Sequence, residues 1–154
     1  MARAVIALGS NLGDREAMLD FAVSALSALP KTKVLQEAQR RETEPVDVPA
    51  GYEDLRFLNS AILIETALPP LDLLHRLLAI EAEAGRVRVL RNGPRPLDLD
   101  IILYEGMTSN TPELTLPHPR AAARAFVLAP LADLGIRAED VRANAFGAAR
   151  GKRG

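Results

Sequence analysis

Two aspartates, Asp98 and Asp100, interrupt an aliphatic run, and their type and spacing are suited to metal chemistry. Because successive side chains of a strand point to opposite faces, both carboxylates should leave the same face, with Cα atoms about 6.6 Å apart. Such a pair could hold one divalent cation, or two cations about 3.5–4 Å apart as in two-metal phosphoryl transfer. Oxygen ligands favour Mg²⁺. Alternation puts Ile102 and Tyr104 on the aspartate face and predicts an apolar opposite face of Leu97, Leu99, Ile101 and Leu103.

Arginines precede these aspartates at four positions, Arg86, Arg88, Arg91 and Arg95. A guanidinium group can donate hydrogen bonds to two phosphate oxygens at once and keeps its charge at physiological pH. The segment therefore favours a magnesium nucleotide site. An Asp-x-Asp pair alone would favour a solvated strand face. Aspartate is disfavoured in strands, however, and a conflict with local propensity is expected mainly at functional sites. These residues alone leave open phosphoryl transfer, nucleotidyl transfer and docking of an acidic partner.

Composition limits the remaining possibilities. The chain has 154 residues, a net charge of −1 and no cysteine. We expect one domain spanning residues 1–154, with 145–154 a flexible tail. The near-neutral charge argues against general nucleic-acid binding, and the absence of cysteine excludes disulfides and thiolate metal sites. No apolar run approaches the length of a membrane span, so we expect a cytoplasmic protein, and we also expect a monomer.

Strand and helix patterns alternate along the chain. Hydrophobic periodicity, prolines and glycines predict the following elements. They are a strand at 4–8, a helix with the apolar stripe Met18, Ala22, Leu26 and Leu29, a strand within 34–41, a long loop at 42–56, a strand at 57–65, a helix at 70–85, the aspartate strand, an extended piece at 114–116, and a helix at 124–134 interrupted by Pro130. Asp14 is the expected N-cap of the first helix. The order indicates α/β layering around one sheet, and it does not distinguish parallel from antiparallel strands.

Residues 91–102, RNGPRPLDLDII, resemble the signature of the 6-hydroxymethyl-7,8-dihydropterin pyrophosphokinase family. Four further segments resemble that family in the same order: ALGSNLGD at 7–14, FLN at 57–59, LPHPR at 116–120 and RAFVLAPL at 124–131. The resemblance covers about residues 3–134. It implies a ferredoxin-like α/β (α+β) fold with an antiparallel sheet and helices packed on it.

The resemblance also implies a reaction, which is transfer of pyrophosphate from ATP to the hydroxymethyl group of 6-hydroxymethyl-7,8-dihydropterin, with release of AMP and with two Mg²⁺ ions. Asp98 and Asp100 match the metal ligands and form the catalytic group with Arg86 and Arg95. The residues that match ATP-binding positions are Arg88, Ile101, His118 and Arg124. Those that match pterin-binding positions are Thr43, Pro45, Val46, Phe57, Asn59 and Phe126. The acid Glu81 matches a position near the arginines, or is an exposed helical residue.

Three positions depart from the family pattern. Asn92, Leu78 and Glu113 stand where some members carry tryptophan, glutamine and arginine.

A catalytically silent nucleotide-binding module of the same fold is the alternative function. The intact aspartate pair argues against that alternative, because a silent module does not need paired metal ligands.

Overall fold

The computed structural model describes residues 1–43, 56–85 and 96–146. Within these ranges the strands are β1 (Ala2–Ser10), β2 (Thr32–Glu37), β3 (Arg41–Thr43), β4 (Phe57–Thr66), β5 (Asp98–Tyr104), β6 (Ser109–Asn110) and β7 (Thr115–Leu116). The helices are α1 (Arg15–Ser27), α2 (Pro70–Glu83), α3 (Ala125–Asp133) and α4 (Ala138–Ala143), with a 3-10 turn at Ala121–Ala123. None of the helices in these ranges is long and apolar enough to cross a membrane.

The main sheet is antiparallel, with strand order β2-β4-β1-β5 and β3 also paired to β4. Strands β6 and β7 form a separate two-stranded ladder. One apolar cluster joins the sheet to α1 and α2, and a second joins its opposite face to α3, α4 and the 3-10 turn. The expected antiparallel sheet with helices packed on it is therefore confirmed, and its connectivity resolves what the element order left open.

The two helices of the first cluster begin and end as their sequences predict. The Asp14 side chain accepts a hydrogen bond from Ala17 N at 3.0 Å, which confirms it as the N-cap of α1. Pro70 opens α2, and Gly85 follows its end at φ +88°, a conformation that favours glycine. The buried stripe of α1 contains Leu19 rather than Met18, which is only half-buried.

The aspartate strand is present, but its predicted alternation is wrong beyond Ile102. Strand β1 pairs Ile6 with Ile101 and Val5 with Leu103, so Ile102 is an extra residue in a β-bulge. The bulge reverses the faces that follow it. Ile102 lies on the aspartate face as predicted, whereas Leu103 joins Ile102 in the second cluster and Tyr104 lies in the first.

Four other features differ from the sequence prediction. The segment predicted as one strand within 34–41 forms two strands, β2 and β3, which both pair with β4. The predicted interruption at Pro130 is wrong, because α3 continues past it to Asp133, with Pro130 and Leu131 both buried. Helix α4 was not predicted from the sequence. The predicted loop at 42–56 begins inside β3, and residues 44–55 lie outside the described ranges.

Candidate active site

The predicted metal ligands and the predicted pterin amide lie on the same face of the sheet, with β1 between them. Gly9 of β1 is directly opposite Asn59 on β4 and Asp98 on β5, and residues directly opposite in antiparallel strands share a face. Ala7 is likewise opposite Asp100. The Asp98 side chain is partly buried and Asp100 is exposed. The sheet register thus places both carboxylates two strands away from Asn59.

Three predicted pterin residues meet where β3 pairs with β4. Thr43 is opposite Phe57, and Asn59 follows on the same face of β4. Asn59 is 8% exposed, and its Nδ2 donates a hydrogen bond to Thr43 Oγ1 at 2.5 Å. This bond satisfies part of a buried amide that would otherwise destabilise an apolar strand. Phe57, Asn59 and Thr43 therefore form one wall of a candidate pocket.

Gly9 is a site residue that the sequence analysis named only within the family-like segment at 7–14. It lies in β1, and an added Cβ would stand 2.8 Å from Asn59 Oδ1 and 3.4 Å from Phe57 Cδ1. A glycine inside a strand marks close approach of another group to the backbone. That rule could have marked Gly9 as a position of close approach, but only the strand register shows that Asn59 is the group that approaches it.

His118 lies beside the carboxylates in the segment before the 3-10 turn. Its backbone N–H donates to Ile102 O at 3.1 Å, and its Nδ1 accepts from Arg120 N at 3.3 Å. Burial, followed by the positive charges of Arg124 and Arg120, lowers the His118 pKa, and the charge of Asp98 opposes that shift. The ring is therefore neutral at pH 7, and because Nδ1 is the acceptor, Nε2 carries the proton.

Arg124 and Phe126 connect the predicted ATP and pterin positions at the start of α3. The Arg124 guanidinium lies 5.6 Å from the centroid of the Phe126 ring, within the range of a cation–π contact. Both side chains are half-buried. Since α3 packs on β4, these residues lie on the same side of the sheet as Asn59.

Ile101 is not brought to this face. It is 4% exposed and belongs to the cluster beneath α1 and α2, on the side of β5 opposite the aspartates. Its contact with adenine stays a prediction. The predicted residues Pro45, Val46, Arg86, Arg88 and Arg95 lie outside the described ranges, as do Arg91 and Asn92.

Glu81 supports the aspartate strand from the opposite side. It is 3% exposed, and its Oε2 accepts a hydrogen bond from Leu99 N, between the two aspartates, at 2.7 Å. The interpretation of Glu81 as an exposed helical residue is therefore wrong. Two of the three positions that depart from the family pattern lie within the described ranges: Leu78 is 42% exposed on α2, and Glu113 Oε2 lies 2.8 Å from His75 Nε2.

The residues present fit a magnesium site that is completed by substrate. No cluster of three or more Asp, Glu, His or Cys side chains that could bind a metal occurs within the described ranges. Mg²⁺ is commonly held by one or two carboxylates together with waters and substrate phosphates, rather than by a cage made only of protein ligands. Asp98 and Asp100 supply that number of carboxylates on one face of β5.

The chain is similar to known proteins in sequence and in fold. A family model described as 7,8-dihydro-6-hydroxymethylpterin-pyrophosphokinase matches residues 5–136. The chain is 48% identical over 132 residues to the 2-amino-4-hydroxy-6-hydroxymethyldihydropteridine pyrophosphokinase of Bacillus subtilis, covering 85% of this chain and 77% of that protein. It is 45% identical over 147 residues to the protein of the same name from Methylorubrum extorquens, covering 92% and 90%.

A solved structure shows the same fold at much lower identity. The wild-type HPPK-DHPS of Plasmodium falciparum aligns with a TM-score of 0.60 at 16% identity. The alignment covers 87% of this chain but only 40% of the solved one. The resemblance stated from the sequence motifs is confirmed, and the chain belongs to the 7,8-dihydro-6-hydroxymethylpterin-pyrophosphokinase family.

Proposed function

We propose that this chain transfers pyrophosphate from ATP to the hydroxymethyl oxygen of 6-hydroxymethyl-7,8-dihydropterin and releases AMP, a step of folate biosynthesis. Family membership supports the reaction class. The observation that carries the proposal is the sheet register, in which Gly9 lies between Asn59 and Asp98 on one face. This register supports a heterocycle site on β4 and a metal–phosphate site on β5, on one face of the sheet with β1 between them.

The pterin would be held by stacking and by an amide. Phe57 and Phe126 supply two rings for a flat heterocycle, and Asn59 offers both a donor and an acceptor to its polar edge. Thr43 orients that amide through the bond from Asn59 Nδ2. Pro45 and Val46 are proposed to complete the pocket by resemblance alone.

The triphosphate would lie across the carboxylate end of the same face. Asp98 and Asp100 would hold two Mg²⁺ ions, which when bound neutralise charge on the phosphate oxygens. His118 offers a protonated Nε2, and Arg124 offers a guanidinium, to further phosphate oxygens. Arg86, Arg88 and Arg95 are proposed as additional phosphate ligands, and Ile101 as part of the adenine pocket.

The chemical step is a displacement at the β-phosphorus. The hydroxymethyl oxygen forms the new P–O bond, the bond from the β-phosphorus to the bridging α–β oxygen breaks, AMP departs with that electron pair, and the hydroxyl proton passes to solvent. Alignment of the two substrates and electrostatic stabilisation of the phosphates are sufficient for such a loose transition state. We therefore propose no general base.

The first test is chromatography of the purified protein with ATP, Mg²⁺ and 6-hydroxymethyl-7,8-dihydropterin, to quantify AMP, ADP and the pterin pyrophosphate. We expect pterin-dependent AMP in equal amount to pterin pyrophosphate. Asp98→Ala should abolish both products, whereas the matched control Asp72→Ala, an exposed acid in the first turn of α2, should retain them. ADP as product would indicate ordinary phosphoryl transfer, and nucleotide binding without turnover would indicate the silent module.

We further propose that residues 1–154 act as a single cytoplasmic domain and that the chain is a monomer. Of the tail expected at 145–154, Phe146 packs on the second apolar cluster, and residues 147–154 lie outside the described ranges. Light scattering coupled to size-exclusion chromatography tests the oligomeric state. A mass near 16.6 kDa is expected, and a mass near twice that value would contradict the monomer.

A further inference from the structure

Arg15, the first residue of α1, joins two segments that are distant in sequence. Its Nη2 donates to Glu42 Oε2 at 2.6 Å, and its Nη1 donates to the carbonyl oxygen of Arg56 at 2.9 Å. The Arg56 guanidinium approaches the other carboxylate oxygen of Glu42, with Nη1 3.7 Å from Oε1. One planar guanidinium therefore holds a side chain and a backbone group together. We call this pair of hydrogen bonds from Arg15 to Glu42 and to the Arg56 carbonyl the Arg15 fork.

The two ends of this fork adjoin two candidate pterin residues. Glu42 precedes Thr43 on β3, and Arg56 precedes Phe57 on β4. Thr43 and Phe57 are the terminal pair of the β3–β4 ladder. Whatever fixes Glu42 relative to the Arg56 carbonyl therefore fixes the separation of Thr43 from Phe57.

The opposite end of β3 is held by separate hydrogen bonds. Arg41 Nη2 donates to Asp133 Oδ1 at 2.8 Å, and Gln39 N donates to Asp133 Oδ2 at 2.9 Å. These bonds connect β3 to the end of α3, away from Thr43. The Arg15 fork acts at the other end, where the strand of only three residues meets the candidate pocket.

Local order is the effect expected of such a fork. Exposed charge pairs contribute little to global stability, and Glu42 and Arg15 have 45% and 31% of their side-chain surface exposed. The terminal pair of a short ladder, however, is among the parts of a fold that open at least cost. The hydrogen bond from Arg15 lowers the pKa of Glu42, so the carboxylate stays charged near neutral pH.

We infer that Arg15 is a positioning residue for the pterin: by holding Glu42 and the Arg56 carbonyl together it keeps Thr43 and Phe57 at the spacing that the ring requires. This inference rests on the proposed function. Arg15 itself does not touch substrate. It acts from α1 through the ends of two strands, and the ATP site on β5 does not depend on it.

Steady-state kinetics of Arg15→Gln test the inference. We expect the KM for the pterin to rise about fivefold, as for loss of a well-aligned exposed charge pair, with the KM for ATP and kcat unchanged. Arg15→Lys should recover only part of this loss, because an ammonium cannot reproduce the fork. Glu42→Gln should raise the same KM, and the double variant should add little.

Arg3→Gln is the matched control. Arg3 forms a comparably exposed pair with Glu105 at 2.9 Å at the other end of β1, and its loss should change neither KM. A purely structural role for Arg15 would lower the unfolding midpoint and alter both KM values, and either that result or an unchanged pterin KM would overturn the inference. The wild-type protein is assayed in the same series. Absence of pterin-dependent AMP from wild type would instead refute the proposed function, and the inference with it.

Discussion

The two faces of the central sheet have the same strands but different tasks. The face beneath α1 and α2 is largely apolar, and its fully buried side chains Ile6, Ile62 and Ile64 pack with Leu19 of α1 and Leu73 of α2. The opposite face is apolar only where α3 and α4 cover it, and towards the starts of β4 and β5 it carries Asn59, Asp98 and Asp100. Alternation along each strand therefore separates the core from the candidate chemistry by one residue.

The covering helices explain how the second face can remain partly polar. Helices α1 and α2 have 13 and 14 residues, whereas α3 and α4 have nine and six. The shorter pair packs on Val5, Ala61, Ile102 and Leu103. The first face should therefore set stability and the second should set turnover, and substitutions on each face can test that division.

The largest effect is expected for Asp100→Asn. Removing one carboxylate charge from the proposed metal site should lower kcat at least about 10⁴-fold, because metal-dependent stabilisation of the phosphates amounts to several kcal/mol. Asp100 is exposed, so the unfolding midpoint should not fall. AMP release and thermal unfolding are the two measurements, and Asp72→Asn is the control. Retained turnover would show that Asp100 does not hold the metal.

On the opposite face, Leu77→Ala should have the reverse profile. Leu77 is 1% exposed in the core beneath α2, so its truncation should reduce the free energy of unfolding by about 2–5 kcal/mol. The kcat per folded molecule should be preserved. Leu71→Ala, at a 41% exposed position of the same helix, should change stability by less than about 0.5 kcal/mol. A fall in kcat without unfolding would contradict the division between faces.

Local sequence patterns were sufficient to predict most of the helices and strands. The periodicity of α2, the Asp14 cap and the strand containing Phe57 and Asn59 are all present as expected. On β5 the period-2 pattern placed Asp98 and Asp100 correctly, but it could not register the bulge at Ile102, since a bulge depends on pairing with β1.

Residues that act across the sheet were the ones sequence reasoning missed or left undecided. Gly9 is a site residue only because Asn59 lies over it, and Arg15 matters only because Glu42 and Arg56 meet near it. Glu81 is buried, which its helical sequence does not disclose, because its partner Leu99 lies on a different element. Motif spacing shows which residues match a family's pattern. Contacts between residues on different elements can be identified only when the strand register is known.

Gly9→Ala tests the division between the two faces at the edge of the candidate pterin pocket. The new methyl group would stand 2.8 Å from Asn59 Oδ1, so the amide must shift, and overpacking of this kind typically costs about 1–3 kcal/mol. We expect the KM for the pterin to rise about 5- to 100-fold, with a much smaller change in the KM for ATP. Gly106→Asn is the control, since no atom lies within 4 Å of an added Cβ and asparagine tolerates its φ of +76°. Equal effects on both KM values would place the damage in the fold rather than at Asn59.

The smallest effect concerns the pH dependence of folding on the polar face. Burial and the charge of Arg124 lower the pKa of His118 in the folded protein below that of an unfolded histidine, about 6.5. Well above pH 6.5 both states are neutral at this residue, so it contributes no pH dependence there. As the pH falls below that value, the unfolded chain binds the proton first, and stability is lost until the folded pKa is passed. Unfolding midpoints measured without Mg²⁺ and ATP at pH 7.5 and 5.5 should therefore fall more for wild type than for His118→Gln, while His75→Gln retains the His118-dependent loss. Parallel losses in wild type and His118→Gln would show that the imidazole is as readily protonated in the folded protein as in water, and that this end of the face is not desolvated.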